Sequence, residues 1–136
     1  MSNKIDPLKT VKILILEELK SREPIFHHSD KFGKTKQAIL DMTCDEFWEV
    51  GASGNQYSRE YVIEVLLDRY SDPEYEDIWE TKDFKCQEIA QDNYLLTYTL
   101  LQGKRETKRS TIWRRTSKGW KIFYHQGTVV QETSDE

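Results

Sequence analysis

Hydrophobic positions in the first half of the chain recur every three or four residues, which is the spacing of amphipathic helices. The first stripe spans residues 8–19 and follows Asp6 and Pro7, a pair that suits the cap and first turn of a helix. Pro24 cannot continue a helix, so the pattern predicts an end near Glu23. The apolar members of this stripe are Leu8, Val11, Ile15 and Leu19.

Two further helices are predicted, over residues 35–42 and 58–70, and each begins at a hydroxyl residue able to cap it. Residues 24–34 mix Pro, Ser, Asp and Gly with two phenylalanines, which indicates a structured loop. Residues 43–45 suggest a turn, and residues 46–54 suggest a short strand followed by a tight glycine turn.

The second half of the chain changes to strand-type residues, rich in Thr, Ile, Trp, Tyr and Val. Turn residues of hairpin length separate four long segments, so the strands are expected to form an antiparallel meander. Helices followed by such a meander predict an α+β fold. The four predicted strands are residues 76–90, 93–102, 107–116 and 119–130.

Composition narrows the function classes. A chain of 136 residues is the usual size of one domain, predicted here as residues 1–136 with a core over 8–130 and an acidic tail over 131–136. The net charge of −4 argues against nucleic-acid binding. No apolar run is long enough for a membrane span. Cys44 and Cys86 belong to no paired motif, which indicates reduced thiols and a cytoplasmic protein.

Two segments resemble the nuclear transport factor 2-like superfamily, which includes ketosteroid isomerase and the SnoaL-like proteins. They are FWEVGASGNQYSREYVIEVL (residues 47–66) and RSTIWRRTSKGWKIFYHQGT (residues 109–128), and the second is most similar to small stand-alone bacterial members of unassigned function. The resemblance covers about residues 8–130. It implies a cone of three N-terminal helices packed on a strongly curved, mainly antiparallel sheet, with a pocket and no cofactor. It also implies a homodimer formed through the outer sheet face.

Glu49 and His125 are the candidate catalytic residues. Glu49 follows Trp48 in the short strand, and a carboxylate buried in an aromatic pocket has the raised pKa that proton transfer requires. His125 lies on the last strand, and an imidazole can serve as general acid or base near neutral pH. Each of these residues could instead have a structural role, Glu49 at the surface or His125 as a buried hydrogen-bonded side chain.

The candidate ligand-binding residues are aromatic or amide side chains on the predicted strands. Flat indole rings suit a ring-shaped apolar ligand, and a tyrosine hydroxyl can donate to a ligand oxygen. Alternation along the last strand places Ile122, Tyr124 and Gln126 on one face, with Phe123 and His125 on the other. The candidates are Trp48, Trp79, Tyr98, Trp113, Tyr124 and Gln126.

Two polar clusters are interpreted as surface features. His27 and His28 are adjacent on a loop without metal-ligand spacing, so no metal site is predicted. The basic residues of 104–115, among them Arg105 and Arg109, are expected to form a solvated strand surface that pairs with the acids of residues 74–88.

Two functions remain open. One is a pocket for a small, largely apolar molecule, with or without cofactor-free proton transfer of the isomerase or dehydratase type. The other is a non-catalytic interaction, immunity or accessory domain whose pocket is filled by its own side chains. An open cavity that contains Glu49 or His125 would favour the first.

Overall fold

The computed structural model of the chain describes residues 6–131, and the part described contains four helices and six strands. The helices are α1 (Pro7–Lys20), α2 (Ser29–Phe32), α3 (Lys36–Asp41) and α4 (Arg59–Ser71). The strands are β1 (Thr43–Val50), β2 (Gln56–Ser58), β3 (Glu80–Ala90), β4 (Asn93–Gln102), β5 (Arg105–Thr116) and β6 (Gly119–Val129).

All six strands form one sheet in the order β2-β1-β6-β5-β4-β3. The meander β3–β6 is antiparallel, as predicted, and β1 pairs antiparallel with β2. The exception is β1 with β6, which run parallel. The predicted α+β class with a mainly antiparallel sheet is therefore confirmed. Residues 43–45, predicted as a turn, belong to β1, and β2 was not predicted.

Helices α1, α3 and α4 begin where hydroxyl or carboxylate side chains satisfy free backbone amides. The Asp6 carboxylate accepts from the Leu8 amide, and the Thr35 and Ser58 hydroxyls cap α3 and α4. The number of three helices is not confirmed, because α2 adds a single turn within the segment predicted as loop.

The hydrophobic core lies between the helices and one face of the sheet. Its helical members include Ile15, Leu19, Ile39, Val62, Ile63 and Leu66, and its strand members are Phe47, Leu96, Trp113 and Ile122. Only the second half of α1 reaches this core. Leu8 and Val11, predicted on the buried stripe, are 71% and 48% exposed, and the contacts of α1 with the sheet are made to the edge strand β3.

Three predictions concern the chain as a whole. Among residues 6–131, no helix is both long and apolar enough to cross a membrane. Cys44 is buried and Cys86 is half-buried, and both are free thiols. The acidic tail predicted for residues 131–136 lies, from residue 132 onward, outside the described residues.

Candidate functional site

A cavity of about 380 Å³ lies between α4, the segment that follows α1, and the core face of the sheet. Its volume falls within the range of small-molecule sites. The apolar part of the wall comes mainly from α4 and from β2, the strand directly before it. Tyr57 and Tyr61 stack there with ring centroids 4.9 Å apart. The other apolar side chains of the wall include Phe26, Val62, Val65 and Leu66.

Glu49 and His125 both line this cavity, and they are direct partners in the parallel pairing of β1 with β6. Parallel partners project their side chains to the same face of a sheet. The two candidate catalytic residues, 76 positions apart in the sequence, are therefore neighbours in the site. Their catalytic role stays a prediction.

The Glu49 carboxyl is half-buried, and burial raises its pKa above the usual value. The nearby Arg109 and Arg69 guanidinium groups oppose this shift without reversing it. Within residues 6–131, Glu49 takes part in no ion pair, and no hydrogen bond contributes to its pKa. The carboxyl is therefore open to the cavity and available to a ligand.

His125 is 4% exposed, and its Nδ1 lies 2.8 Å from the hydroxyl oxygen of Thr111. Burial, followed by the charges of Arg109 and His27, lowers the pKa of His125 to about 3. The imidazole is consequently neutral at neutral pH. One ring nitrogen is occupied by Thr111, so His125 can offer a ligand a single donor or acceptor rather than a cation.

Glu23 forms a buried polar centre behind the cavity wall. The sequence pattern indicates this residue only as the end of a helix. Its Oε1 accepts hydrogen bonds from the Tyr98 hydroxyl at 2.8 Å and from the Ile25 amide at 3.1 Å. Its Oε2 accepts from the Trp113 indole at 2.9 Å. Burial raises the pKa of Glu23, and these hydrogen bonds act against that shift. No periodic pattern signals such a residue, because its donors come from distant strands.

Arg69, Arg105 and Arg109 also line the cavity, and for Arg105 and Arg109 this corrects the prediction of a solvated basic surface on β5. Lys104, Lys108 and Arg115 are exposed, as predicted. The acids of β3 cannot meet β5, because β4 lies between the two strands. Alternation back from the buried Trp113 places Arg109 and Arg105 on the core face of β5. This alternation was the signal in the sequence that could have identified them.

Three of the predicted ligand-binding residues lie on the opposite face of the sheet. The Trp48 ring packs on Tyr124 with centroids 4.5 Å apart, and the Tyr124 hydroxyl donates to the Gln126 side chain at 2.6 Å. A β-bulge explains the misassignment on β6. The register with β5 skips Phe123, so Ile122 and His125 are both buried on the core face although strict alternation separates them.

The remaining predicted ligand-binding residues are placed differently again. Trp79 packs edge-on against His28, with ring centroids 5.3 Å apart, and is not part of the cavity wall. Trp113 is 2% exposed and belongs to the core. Tyr98 does line the cavity, but its hydroxyl already donates a hydrogen bond to Glu23. The hydroxyl is therefore not free to act as the predicted donor to a ligand oxygen.

The adjacent histidines point to different partners. Nδ1 of His27 lies 2.6 Å from a carboxylate oxygen of Asp77, and Nε2 of His28 lies 2.8 Å from the backbone oxygen of Glu23. Because the two rings face separate acceptors, they do not converge on one ligand position.

No protein-family model matches the chain, and no curated protein matches it. Solved structures do match. A protein from Parabacteroides distasonis, provisionally named a ketosteroid isomerase, is 18% identical at a TM-score of 0.62, with 86% of this chain and 89% of that chain covered. A nuclear transport factor 2-like protein from Cytophaga hutchinsonii is 13% identical at a TM-score of 0.62, covering 93% and 100%.

A third neighbour, from Exiguobacterium sibiricum, is provisionally named a calcium/calmodulin-dependent kinase II association domain. It is 16% identical at a TM-score of 0.54, covering 96% and 100% of the two chains. The resemblance seen in the sequence is thus confirmed: the structural neighbours are nuclear transport factor 2-like proteins, and this chain has their fold. Identities below 20% show the fold alone.

Proposed function

We propose that the protein binds a small organic molecule in its cavity and that Glu49 exchanges a proton with that molecule. The reaction type is isomerase- or dehydratase-like and needs no cofactor. In this proposal the sheet curves around the helices as the wall of a cone, and the cavity lies at the open end. The observation that carries the proposal is the carboxyl of Glu49, which faces the cavity, has a raised pKa and makes no ion pair among residues 6–131.

A carboxyl with a raised pKa is suited to move protons near neutral pH, because it then exchanges between its two forms at low cost. The neutral His125, its neighbour across the strand pair, can donate or accept one hydrogen bond to the same ligand. The stacked pair Tyr57 and Tyr61 offers an apolar surface for the rest of the molecule. Binding and proton exchange therefore use the same wall of the cavity.

Thermal stabilisation against a library of carbonyl compounds, with neutral and carboxylate members, tests the binding step, since a ligand specific for the folded state raises the melting temperature. The proton step is tested by following exchange of α-protons of the hits with deuterated water by NMR. We expect Glu49→Gln to abolish exchange while retaining binding within about tenfold. The matched control is Glu46→Gln, an exposed acid of the same strand, which should leave exchange unchanged.

The alternative of a non-catalytic interaction domain requires a pocket filled by the chain's own side chains. The cavity of about 380 Å³, with Glu49 and His125 in its lining, favours a ligand instead. A library that yields no hit, together with no exchange in any compound, would support the interaction domain and defeat the proposal.

We also propose a homodimer formed through the outer sheet face, the face that carries Trp48 and Tyr124. Trp48 is 36% exposed there and Tyr124 is half-buried, and a partly exposed aromatic pair is the type of surface that a second copy covers. Sedimentation velocity of Trp48→Glu tests it, with Leu14→Glu on the exposed side of α1 as the control. A monomeric wild type, or a Trp48→Glu variant that remains as dimeric as the wild type, would refute the interface.

A further inference from the structure

The charge of the cavity is opposite to that of the chain. The protein carries a formal net charge of −4, yet the cavity is lined by three arginines and by one acidic residue, Glu49. A positively charged cavity in an acidic protein attracts anions and focuses them at one place. The three arginines are Arg69, Arg105 and Arg109.

Arg109 occupies the innermost of these positions, near the middle of β5. Its Nε donates to the Thr107 hydroxyl at 2.9 Å, which fixes one edge of the guanidinium group. Its flat side lies across Gly127, the register partner on β6, where a Cβ atom would come within 2.5 Å of Nη1. Glycine therefore makes the room that holds this guanidinium group inside the cavity.

No carboxylate forms an ion pair with Arg69, Arg105 or Arg109 among the salt bridges of residues 6–131. Burial lowers the pKa of Arg109, so keeping it charged in this position costs free energy. The charges of Glu49 and Glu23 offset part of this cost from a distance. Neither carboxyl forms an ion pair with Arg109 among residues 6–131. A positioned, desolvated and unpaired guanidinium group is what an anion-binding site requires before its ligand arrives.

We propose that the ligand of the cavity is a small organic carboxylate with an apolar body, and this inference rests on the proposed function. The two free Nη groups of Arg109 hold the carboxylate in a bidentate pair. Arg105 and Arg69 contribute positive charge nearer the opening, and the apolar body lies against Phe26 and the side chains of α4. Glu49 then faces the carbon skeleton of the ligand rather than its charged end.

The composition of the wall selects a carboxylate over an inorganic phosphate. No lysine is among the residues that line the cavity, and a planar guanidinium fork matches the two oxygens of a carboxylate. Much of the remaining wall is aromatic or aliphatic, including Tyr57, Val62, Val65 and Leu66. A free inorganic anion would leave that apolar surface unused.

The experiment compares 4-phenylbutyrate with its neutral amide and with inorganic phosphate, using calorimetric titration of the full chain. Wild-type protein, Arg109→Gln and Arg109→Lys are titrated beside Arg115→Gln, a control on the same strand whose guanidinium lies over Trp120 instead. Melting temperatures verify that each variant is folded. Charged hydrogen bonds of this type contribute roughly tenfold to a hundredfold in affinity.

We expect the acid to bind at least tenfold more tightly than its amide, and Arg109→Gln to remove that difference. Arg109→Lys should recover part of it, because lysine keeps the charge but not the fork, and Arg115→Gln should stay within twofold of wild type. Equal affinity for acid and amide, preference for phosphate, or no effect of Arg109→Gln would overturn the carboxylate assignment. Neutral library hits obtained alongside such a result would leave the proposed function standing, whereas the absence of any ligand would defeat both.

Discussion

The Tyr98 hydroxyl donates a 2.8 Å hydrogen bond to Oε1 of Glu23, a residue 75 positions earlier in the chain. This contact joins the middle of β4 to the segment that follows α1, and it closes the inner wall of the cavity. Both side chains are 2% exposed, so the bond is formed without competition from water. Tyr98 therefore acts as a structural donor to a buried carboxyl rather than as a free donor to a ligand.

Tyr98→Phe should lower the free energy of unfolding by about 1–3 kcal/mol, because it removes one donor from a buried carboxyl and leaves the ring in place. Urea denaturation monitored by tryptophan fluorescence measures the change. The matched control is Tyr124→Phe, whose hydroxyl bonds Gln126 on the other face of the sheet and should cost less than about 0.5 kcal/mol. Equal losses in the two variants would contradict the structural role of Tyr98.

His125 should make the protein sensitive to acid. Its pKa is about 3 in the folded protein against 6.5 for the free side chain, so the unfolded chain binds the proton more tightly. Above pH 6.5 His125 is neutral in both the folded and the unfolded chain, and the free energy of unfolding has its full value. As the pH falls below 6.5 the unfolded chain takes up the proton first, and the free energy of unfolding decreases. Between pH 7 and pH 4 we expect His125→Gln to lose about 3 kcal/mol less stability than wild type, measured by urea unfolding at both values. Parallel losses would show that His125 is not buried in its neutral form.

Glu49 should have the opposite dependence on pH. Folding raises the pKa of Glu49 above 4.5. The contribution of Glu49 to the free energy of unfolding is therefore greatest below pH 4.5 and declines as the pH rises through the pKa of the folded protein. Glu49→Gln removes this decline, and the variant should gain stability relative to wild type between pH 4 and pH 8. Glu46→Gln, at an exposed acid of the same strand, is the matched control. A pH-independent difference for Glu49→Gln would argue that its carboxyl is fully solvated.

Gly127→Ala should be unfavourable only while Arg109 is present. The new methyl group would come within 2.5 Å of Nη1 and force the guanidinium to move, at a cost of about 1 kcal/mol. In an Arg109→Ala background the same change should be neutral or stabilising, since alanine is preferred to glycine inside a strand. A double-mutant cycle by thermal or urea unfolding measures the coupling. Additive effects would show that the two residues do not share space.

Local sequence patterns predicted the elements in which hydrophobic residues recur at the regular spacing of a helix or a strand. The stripe of α4, its Ser58 cap and the four strands of the meander all depend on near neighbours, and they are found close to where the pattern indicated. The main differences are that β3 begins at Glu80 rather than residue 76 and β5 at Arg105 rather than residue 107. Glu49 was identified as a cavity residue for a similar reason, because it follows the apolar start of a short strand. These features need no knowledge of distant contacts.

The rest of the site depends on contacts between distant segments, which the spacing of hydrophobic residues along the chain does not encode. The bulge at Phe123 turns His125 to the core face and leaves Tyr124 and Gln126 outside, and nothing in the local sequence marks Phe123 as the extra residue. The burial of Glu23 depends on donors from β4 and β5. Arg109 was interpreted as a surface charge because charge is usually solvated, although its alternation with Trp113 indicated the inner face.

The parallel pairing of β1 with β6 has a consequence for biosynthesis. β6 is the last of the six strands that residues 6–131 form, and it lies between β1 and β5 in the sheet. A nascent chain that still holds β6 inside the ribosome therefore has an unfilled gap between its early and late strands, and Glu49 has no His125 beside it. The cavity lined by Glu49 and His125 can form only after β6 has been synthesised. A chain released before that point carries an exposed strand edge rather than a closed cavity wall.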